Sequence, residues 1–336
     1  MGKIYTSAGW VNWDYLMAQV ESIISIVGPR GTGKTYGCFR WLVEHEKRFI
    51  YLRRLKSQLD ECKKESGNPF KKLNTDLDIS IKPYTAGGTV LFNYNEKAGV
   101  NAAVGVALSV VANVRGIDFS DIDYIVFDEF ISSDGERPIR NEFQAFLNFY
   151  ETVNRNRELE GKPAVKCIML GNANRISNPY FSGWHNMRLV LNMIRGNQCI
   201  WRSADRTRMI VLLLDSPISD KKQNTVLYQN ANADFIRMAL DNAFRTDETV
   251  IKSEPLKEFT HVVSVGEIGI YAHKSDRRYY VSATTSRNPY YEAYGINLKM
   301  FQLDYYMLRI YYMTNKNVTF ESFECELIFR ELFNLN

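Results

Sequence analysis

The sequence predicts an α/β fold, a parallel sheet sandwiched by helices, followed by a smaller α+β region. Three observations carry this expectation. Short continuous apolar runs alternate with helical patterns through the first half, polar residues collect where those runs end, and beyond Pro179 the alternation gives way to scattered aromatics and an antiparallel pattern. At 336 residues the chain exceeds what one hydrophobic core commonly fills, so two domains are expected. Its 45% hydrophobic and 24% charged residues exclude a disordered chain. Cys38, Cys62, Cys167, Cys199 and Cys325 are scattered and there are only four histidines, so neither a disulfide framework nor a zinc site is expected, which suits a reducing compartment. No apolar run approaches the roughly 20 residues that cross a bilayer, and the N-terminus lacks the apolar core of a signal peptide, so an intracellular protein with no membrane partner is expected. A net charge of +4 permits a polyanionic partner without requiring one.

In chain order, strands are expected at Ser22–Val27, Arg48–Arg54, Val104–Val110, Asp123–Phe127 and Val165–Leu170, with helices starting at Lys34, near Ser57 and near Arg140. Between the second and third strands, ISIKPYTAGGTVLFNY reads as a β-hairpin, because Gly87 and Gly88 can take the positive φ angles of a tight turn. The helix near Arg140 carries an apolar stripe of Phe143, Leu147, Tyr150 and Val153 or Asn154. MIVLLLD reads as a lone strand, Thr225 to Phe244 as a helix, and THVVSVGEIGIYAHKSDRRYYVSA as an antiparallel meander, with helical periodicity again from Leu298. The domains expected are therefore 1–194, a linker region 195–256, and 257–336.

VGPRGTGKT follows the first apolar run directly. Gly28, Gly33, Lys34 and Thr35 match G-x-x-x-x-G-K-[ST], the P-loop, after a strand and opening a helix as that motif must. Its glycines let backbone N–H groups curl around phosphate oxygens, Lys34 reaches the β/γ-phosphates and Thr35 holds Mg²⁺, with Arg30 and Gly31 at variable positions of the loop. YIVFDEF supplies the second half of such a site. Asp128 emerges at the end of a buried strand, where a Walker-B aspartate would hold Mg²⁺, and Glu129 offers a second carboxylate to polarise a water against the γ-phosphate. ATP and Mg²⁺ are thus the expected ligands.

A third polar strand end, GNAN, places Asn172 either in a turn or as a donor to the γ-phosphate or the attacking water. Arg155 and Arg157 close the helix that begins near Arg140. At 3.6 residues per turn they point to nearly opposite sides if the helix continues that far, and each is either a solvated helix-end cation or a trans-acting finger. Arg53 and Arg54 end the second strand, open equally to a structural salt bridge and to a phosphate contact.

Taken in order and spacing, the P-loop, FIYLRRLKSQL, IVFDEF, ETVNRNRE and CIMLGNANRISNPYF resemble the DNA-packaging ATPases of phi29-like bacteriophages. The resemblance is good from Ser22 to Phe181 and weak beyond. It implies a P-loop NTPase of the additional-strand, catalytic-glutamate class that forms a homopentameric ring at the portal of an empty capsid in the infected host's cytoplasm and drives double-stranded DNA inward. A structural RNA is a further conceivable partner. In that family the residue matching Arg155 is the trans-acting finger, and a basic residue matching Arg115 also acts across the subunit interface, although family members carry lysine there. The C-terminal domain would be similar to an RNase H-like nuclease that has lost its chemistry and binds nucleic acid.

The C-terminal residues speak to that last point separately. A two-metal nuclease needs carboxylates converging from neighbouring strands, and THVVSV has none, with Glu267 and Asp276 falling at turns. Lys274, Arg277, Arg278 and Arg287, interleaved with Tyr271, Tyr279 and Tyr280, suit phosphate contacts or an ordinary wet β-surface. Two rival functions stay open: a terminase-like motor that also cuts DNA, and a nucleotide-binding structural clamp that barely turns over.

Overall fold

The computed structural model describes residues 4–86, 89–95, 100–114, 119–133, 136–214, 216–218, 226, 251–315 and 317–335. The chain divides into two units, one of Met1–Asn174 with Met193–Phe244 and the other of Arg175–Asn192 with Arg245–Asn336.

The first unit is built on a nine-stranded sheet. Its strands are β1 (Ile23–Val27), β2 (Phe49–Arg53), β3 (Ile81–Ala86), β4 (Thr89–Tyr94), β5 (Asn101–Ala107), β6 (Tyr124–Asp128), β7 (Lys166–Gly171), β8 (Ile200–Arg202) and β9 (Arg208–Leu212). They lie in the order β3-β4-β5-β2-β6-β7-β1-β9-β8. The middle of the sheet, from β5 to β9, is parallel, and β3, β4 and β8 add antiparallel edges. Ile24, Ile26 and Val27 of β1 and Ile125, Val126 and Phe127 of β6 are fully buried, as expected of strands covered on both faces. Helices α1 (Trp13–Met17), α2 (Lys34–Glu44), α3 (Lys56–Glu61), α4 (Lys71–Leu77) and α5 (Glu142–Asn154) belong to this unit. Phe39 of α2 packs on Phe49, Tyr51 and Phe70 with ring centroids 5.0–5.2 Å apart, joining the sheet to its covering helices through aromatic surface.

Most expected elements are present, and several differences have physical reasons. MIVLLLD is not a lone strand: β9 pairs with β1 and β8, so residues 200–212 of the expected linker 195–256 extend the main sheet. Three residues of β8 are too short a periodic signal to read beforehand. Residues 175–192, expected in the first domain, group with the second unit. The buried residues of α5 are Phe146, Phe149 and Val153 with Glu142 and Asn154, while Phe143, Leu147 and Tyr150 are only partly covered. The expected stripe is met at Val153 and Asn154, while Phe143, Leu147 and Tyr150 flank the buried face that Phe146 and Phe149 supply. Gly87, Gly88 and, apart from Val226, the helix expected from Thr225 to Phe244 lie outside the described residues. Among those residues no helix is long and apolar enough to cross a membrane.

The second unit contains a mixed five-stranded sheet with β10 (Phe259–Val265), β11 (Ile268–His273), β12 (Tyr279–Ser282), β13 (Tyr290–Tyr291) and β14 (Val318–Phe320), in the order β13-β10-β11-β12-β14. The expected meander is β10-β11-β12, flanked by β13 parallel to β10 and β14 parallel to β12. Short helices α6 (Pro179–Gly183) and α7 (Met187–Arg195) precede it in sequence, and α8 (Gly295–Asp304), α9 (Tyr306–Asn315) and α10 (Phe323–Leu332) follow. Val263, Ile270, Val281, Phe301, Phe320 and Phe329 form its core. Upstream of the expected start at 257, Ile251 already bridges to Phe320.

Candidate nucleotide site

The strand order brings β1, β7 and β6 side by side, so their C-terminal ends share one edge of the sheet. Between them lies a cavity of about 300 Å³, lined by Arg30, Gly31 and Gly33 of the loop, Lys34 and Thr35 of α2, Asp128 at the end of β6 with Glu129 after it, and Asn172 after β7. The loop's shape depends on its glycines. Gly31 and Gly33 have φ of 71° and 85°, a region an L side chain adopts only with strain, and Gly33 is the N-terminal cap of α2. Gly28 is required for a different reason: a Cβ there would drive into the side chain of Leu213 on the β9 side.

Lys34 is buried, and its ammonium donates to the carbonyls of Gly28 (2.8 Å) and Pro29 (2.6 Å) and to Asn172 Oδ1 (3.2 Å). Thr35 Oγ1 donates to Asp128 Oδ1 at 2.9 Å. These two are hard oxygen donors at the mouth of a helix N-terminus, the ligand chemistry that suits Mg²⁺ rather than a softer metal. Burial pushes the Asp128 carboxyl up, with the charge of Glu129 adding to it, while Arg53, the Thr35 hydroxyl and Lys34 pull the other way without cancelling the effect. Glu129 sits at φ 55°, an uncommon conformation for a non-glycine residue, and its side chain is half exposed to the cavity.

Arg53 is the residue at this site whose role spacing left open. Because β2 pairs with β6 in register, Leu52 opposite Phe127, the next residue of each strand brings Arg53 beside Asp128. Its guanidinium donates to Asp128 Oδ2 at 3.1 Å and to Glu129 Oε2 at 2.5 Å. Tyr51, two residues earlier, contributes its hydroxyl 3.4 Å from Asp128 Oδ2. Burial alone would lower the Arg53 pKa, but the surrounding Tyr51, Asp128 and Glu129 outweigh it and push it up. A charged residue closing a buried parallel strand was the only signal for this in the sequence. Arg54, its neighbour, points the other way. It is 2% exposed, donates to both carboxylate oxygens of Glu142 at 2.7 and 2.8 Å, and also bonds Glu136. This is the structural alternative for Arg54, and it ties β2 to the start of α5.

The two arginines after α5 also separate. The helix ends at Asn154, and Arg155 caps it at φ 45° with its side chain exposed. Arg155 does not line the cavity. Arg157 is held down, donating to the carbonyls of Pro163 (3.0 Å) and Ile122 (3.2 Å) and pairing with Asp123. Arg115 lies outside the described residues.

In the second unit, most of the interleaved cations and tyrosines are engaged locally. Arg278 pairs with both oxygens of Glu254 at 2.6–2.7 Å and lies over the Phe259 ring, and Lys274 donates to the carbonyl of Lys257. Tyr271 and Tyr280 are buried, whereas Arg277 and Arg287 are exposed.

Comparison with known proteins identifies a family and a fold. The family model described as podovirus DNA encapsidation protein (Gp16) matches residues 8–317. The DNA packaging protein of Bacillus phage phi29 is 28% identical over 247 residues, covering 71% of this chain and 67% of that protein. Among solved structures, the phi-28 gp11 DNA packaging motor superposes with a TM-score of 0.58 at 20% identity, covering 98% of this chain and 99% of that one. The bacteriophage phi-29 genome packaging motor assembly gives 0.57 at 22% identity, with 97% and 98% covered. At such identities the two structures speak for a shared fold.

Proposed function

The chain belongs to the podovirus DNA encapsidation protein family, and from that premise we propose that it is a motor that hydrolyses ATP in the P-loop cavity and uses the energy to move double-stranded DNA into a preformed procapsid. The observation that carries this reading is the convergence of Lys34, Thr35, Asp128, Glu129 and Asn172 on one cavity from three adjacent strand ends. The insertion of β7 between the P-loop strand β1 and the acidic strand β6 supports assignment to the additional-strand class.

In this mechanism the loop amides from Gly28 to Gly33 cradle the phosphates, and Lys34 exchanges the carbonyls of Gly28 and Pro29 for β/γ-phosphate oxygens. Thr35 and Asp128 would hold Mg²⁺, which when bound neutralises phosphate charge. Glu129 takes a proton from water as that water attacks the γ-phosphorus and the bond to the β-phosphate oxygen breaks, releasing ADP and phosphate. Asn172 contacts the γ-phosphate or the water. Arg53 holds Glu129 Oε2, so in this mechanism either Oε1 takes the proton or Arg53 shifts before Glu129 serves as base. The clamp alternative draws on the same contact: a glutamate that Arg53 never releases would leave a nucleotide bound and unspent.

Arg155 is the candidate trans-acting finger. The 13 residues of α5 span about 20 Å, and its start is tied through Arg54 to the strand that bears Arg53, so its far end is remote from its own cavity. An exposed arginine there suits a neighbouring subunit's site in a ring, for which we propose a homopentamer at the portal, with a structural RNA as a further partner. Host cytoplasm, with transient residence at the portal vertex, is the location such a role requires. The second unit is proposed as an RNase H-like nucleic-acid-binding domain without nuclease chemistry, contacting phosphates independently of sequence. ATP hydrolysis measured with and without duplex DNA and procapsids tests the whole: DNA-stimulated turnover is expected. Tight ATP binding with no turnover under any of these conditions would favour the clamp, and metal-dependent cleavage of plasmid would favour the nuclease motor.

A further inference from the structure

We propose that Trp10 is the platform on which the base of the bound nucleotide stacks, an inference that rests on the P-loop reading of the cavity. On that reading the carboxylates of Asp128 and Glu129 and the amide of Asn172 mark the reacting end of a triphosphate, and its nucleoside end leaves past Gly33 and Tyr36, which also line the cavity. Trp10 stands beside Gly33. A Cβ on Gly33 would lie 3.3 Å from Trp10 Cε3, so the indole borders a cavity-lining glycine without itself lining the cavity, and 47% of the residue is open to solvent.

The segment carrying Trp10 is fastened to the loop it flanks. Thr6 N–H donates to the Trp10 carbonyl at 2.8 Å, and Trp10 N–H donates to Thr6 Oγ1 at 3.2 Å, closing a tight turn. On the other side Val11 N–H donates to the Thr32 carbonyl (3.3 Å), and Trp13 Nε1 donates to the Gly33 carbonyl (3.2 Å). Buried Tyr5 and Val11 pair as a bridge beneath it. The backbone that carries the indole is therefore anchored to the phosphate cradle, which lowers the ordering cost of stacking a base. A large aromatic face held open beside a phosphate site fits a purine, because every base presents a π-face to stack. Tyr36, the aromatic that lines the cavity itself, is held by its hydroxyl's 2.6 Å bond to Asp76 and by Lys72 over its ring, leaving Trp10 as the more open surface.

Calorimetric titration of the full chain with ATP and with inorganic tripolyphosphate, each with Mg²⁺, tests this. Trp10→Leu should raise the Kd for ATP about tenfold while moving that for tripolyphosphate less than twofold, and Trp10→Phe should bind ATP nearly as the wild type does. If Trp10→Leu weakens both ligands equally, Trp10 shapes the cradle and the proposal falls. If it weakens neither, the proposal falls and the P-loop reading stands. A wild-type chain that binds neither ligand would overturn the P-loop reading itself, and the base platform with it.

Discussion

Both sheets carry charged residues at their strand ends, and the two regions spend them differently. Beyond the ends of β1 and β6, Lys34, Asp128 and Glu129 line one cavity, and Arg53 at the end of β2 bonds both carboxylates, with Glu129 at positive φ and Lys34 satisfied by carbonyls that a ligand could replace. In the second unit, Arg278 is neutralised by Glu254, Lys274 is spent on a backbone carbonyl, and Tyr271 and Tyr280 are core. Charge in a sequence is thus evidence of a ligand only where topology makes several charged groups converge. The same contrast repeats within one pair of neighbours, since Arg53 serves the cavity and Arg54 the scaffold.

Glu129→Gln should give the largest effect and is the sharpest test of the cavity side. The amide keeps the shape and loses the base, so turnover should fall roughly 10²- to 10⁴-fold while ATP affinity is retained. Wild-type hydrolysis in that variant would move the cavity into the structural class. Arg155→Ala comes next, with turnover expected to drop about 10³-fold and nucleotide affinity preserved, because a finger acts on the transition state. Mixing Arg155→Ala with Glu129→Gln subunits should restore part of the activity if the arginine acts in trans. Mixed assemblies that form normally and stay dead at every ratio would exclude it. Arg157→Ala, by contrast, should lower thermal stability, since its bonds are to its own chain.

On the scaffold side, Arg54→Ala should destabilise the protein by about 3 kcal/mol, because it removes the guanidinium from which both oxygens of the buried Glu142 carboxylate accept. A melting temperature unchanged by that substitution would mean Arg54 is not the anchor its geometry implies. The smallest effect is expected in the second unit. Arg278→Ala should cost about 1 kcal/mol or less and leave duplex DNA affinity unchanged, whereas Arg277→Ala and Arg287→Ala together should weaken binding and flatten its salt dependence. An equal loss of DNA affinity from Arg278→Ala would erase the distinction drawn between the two sheets.

Much of the first unit was legible because its signals are local. A buried parallel strand is a short apolar run, and the start of α2 is marked by a fixed spacing of glycines, lysine and threonine, so β1, β2, β6, β7, α2 and the meander β10-β11-β12 fall where the pattern puts them. Elements held by neighbours rather than by their own periodicity were not legible. β8, β13 and β14 have two or three residues each, and only packing makes Phe146 and Phe149, rather than Phe143, Leu147 and Tyr150, join Val153 on the buried face of α5.

Local pattern alone supplied the candidate groups near each strand end that the proposed nucleotide chemistry draws on: Lys34, Thr35, Asp128, Glu129 and Asn172. Only the tertiary structure decided which of these meet. Strand order is set by long-range packing, and no local pattern reveals that β7 enters between β1 and β6 or that β2 lies beside β6. Those two adjacencies bring Asn172 to Lys34 and Arg53 to Glu129, while the end of α5 at Asn154 leaves Arg155 exposed, bonded back to the Thr152 carbonyl, and Arg157 tied to the Pro163 carbonyl.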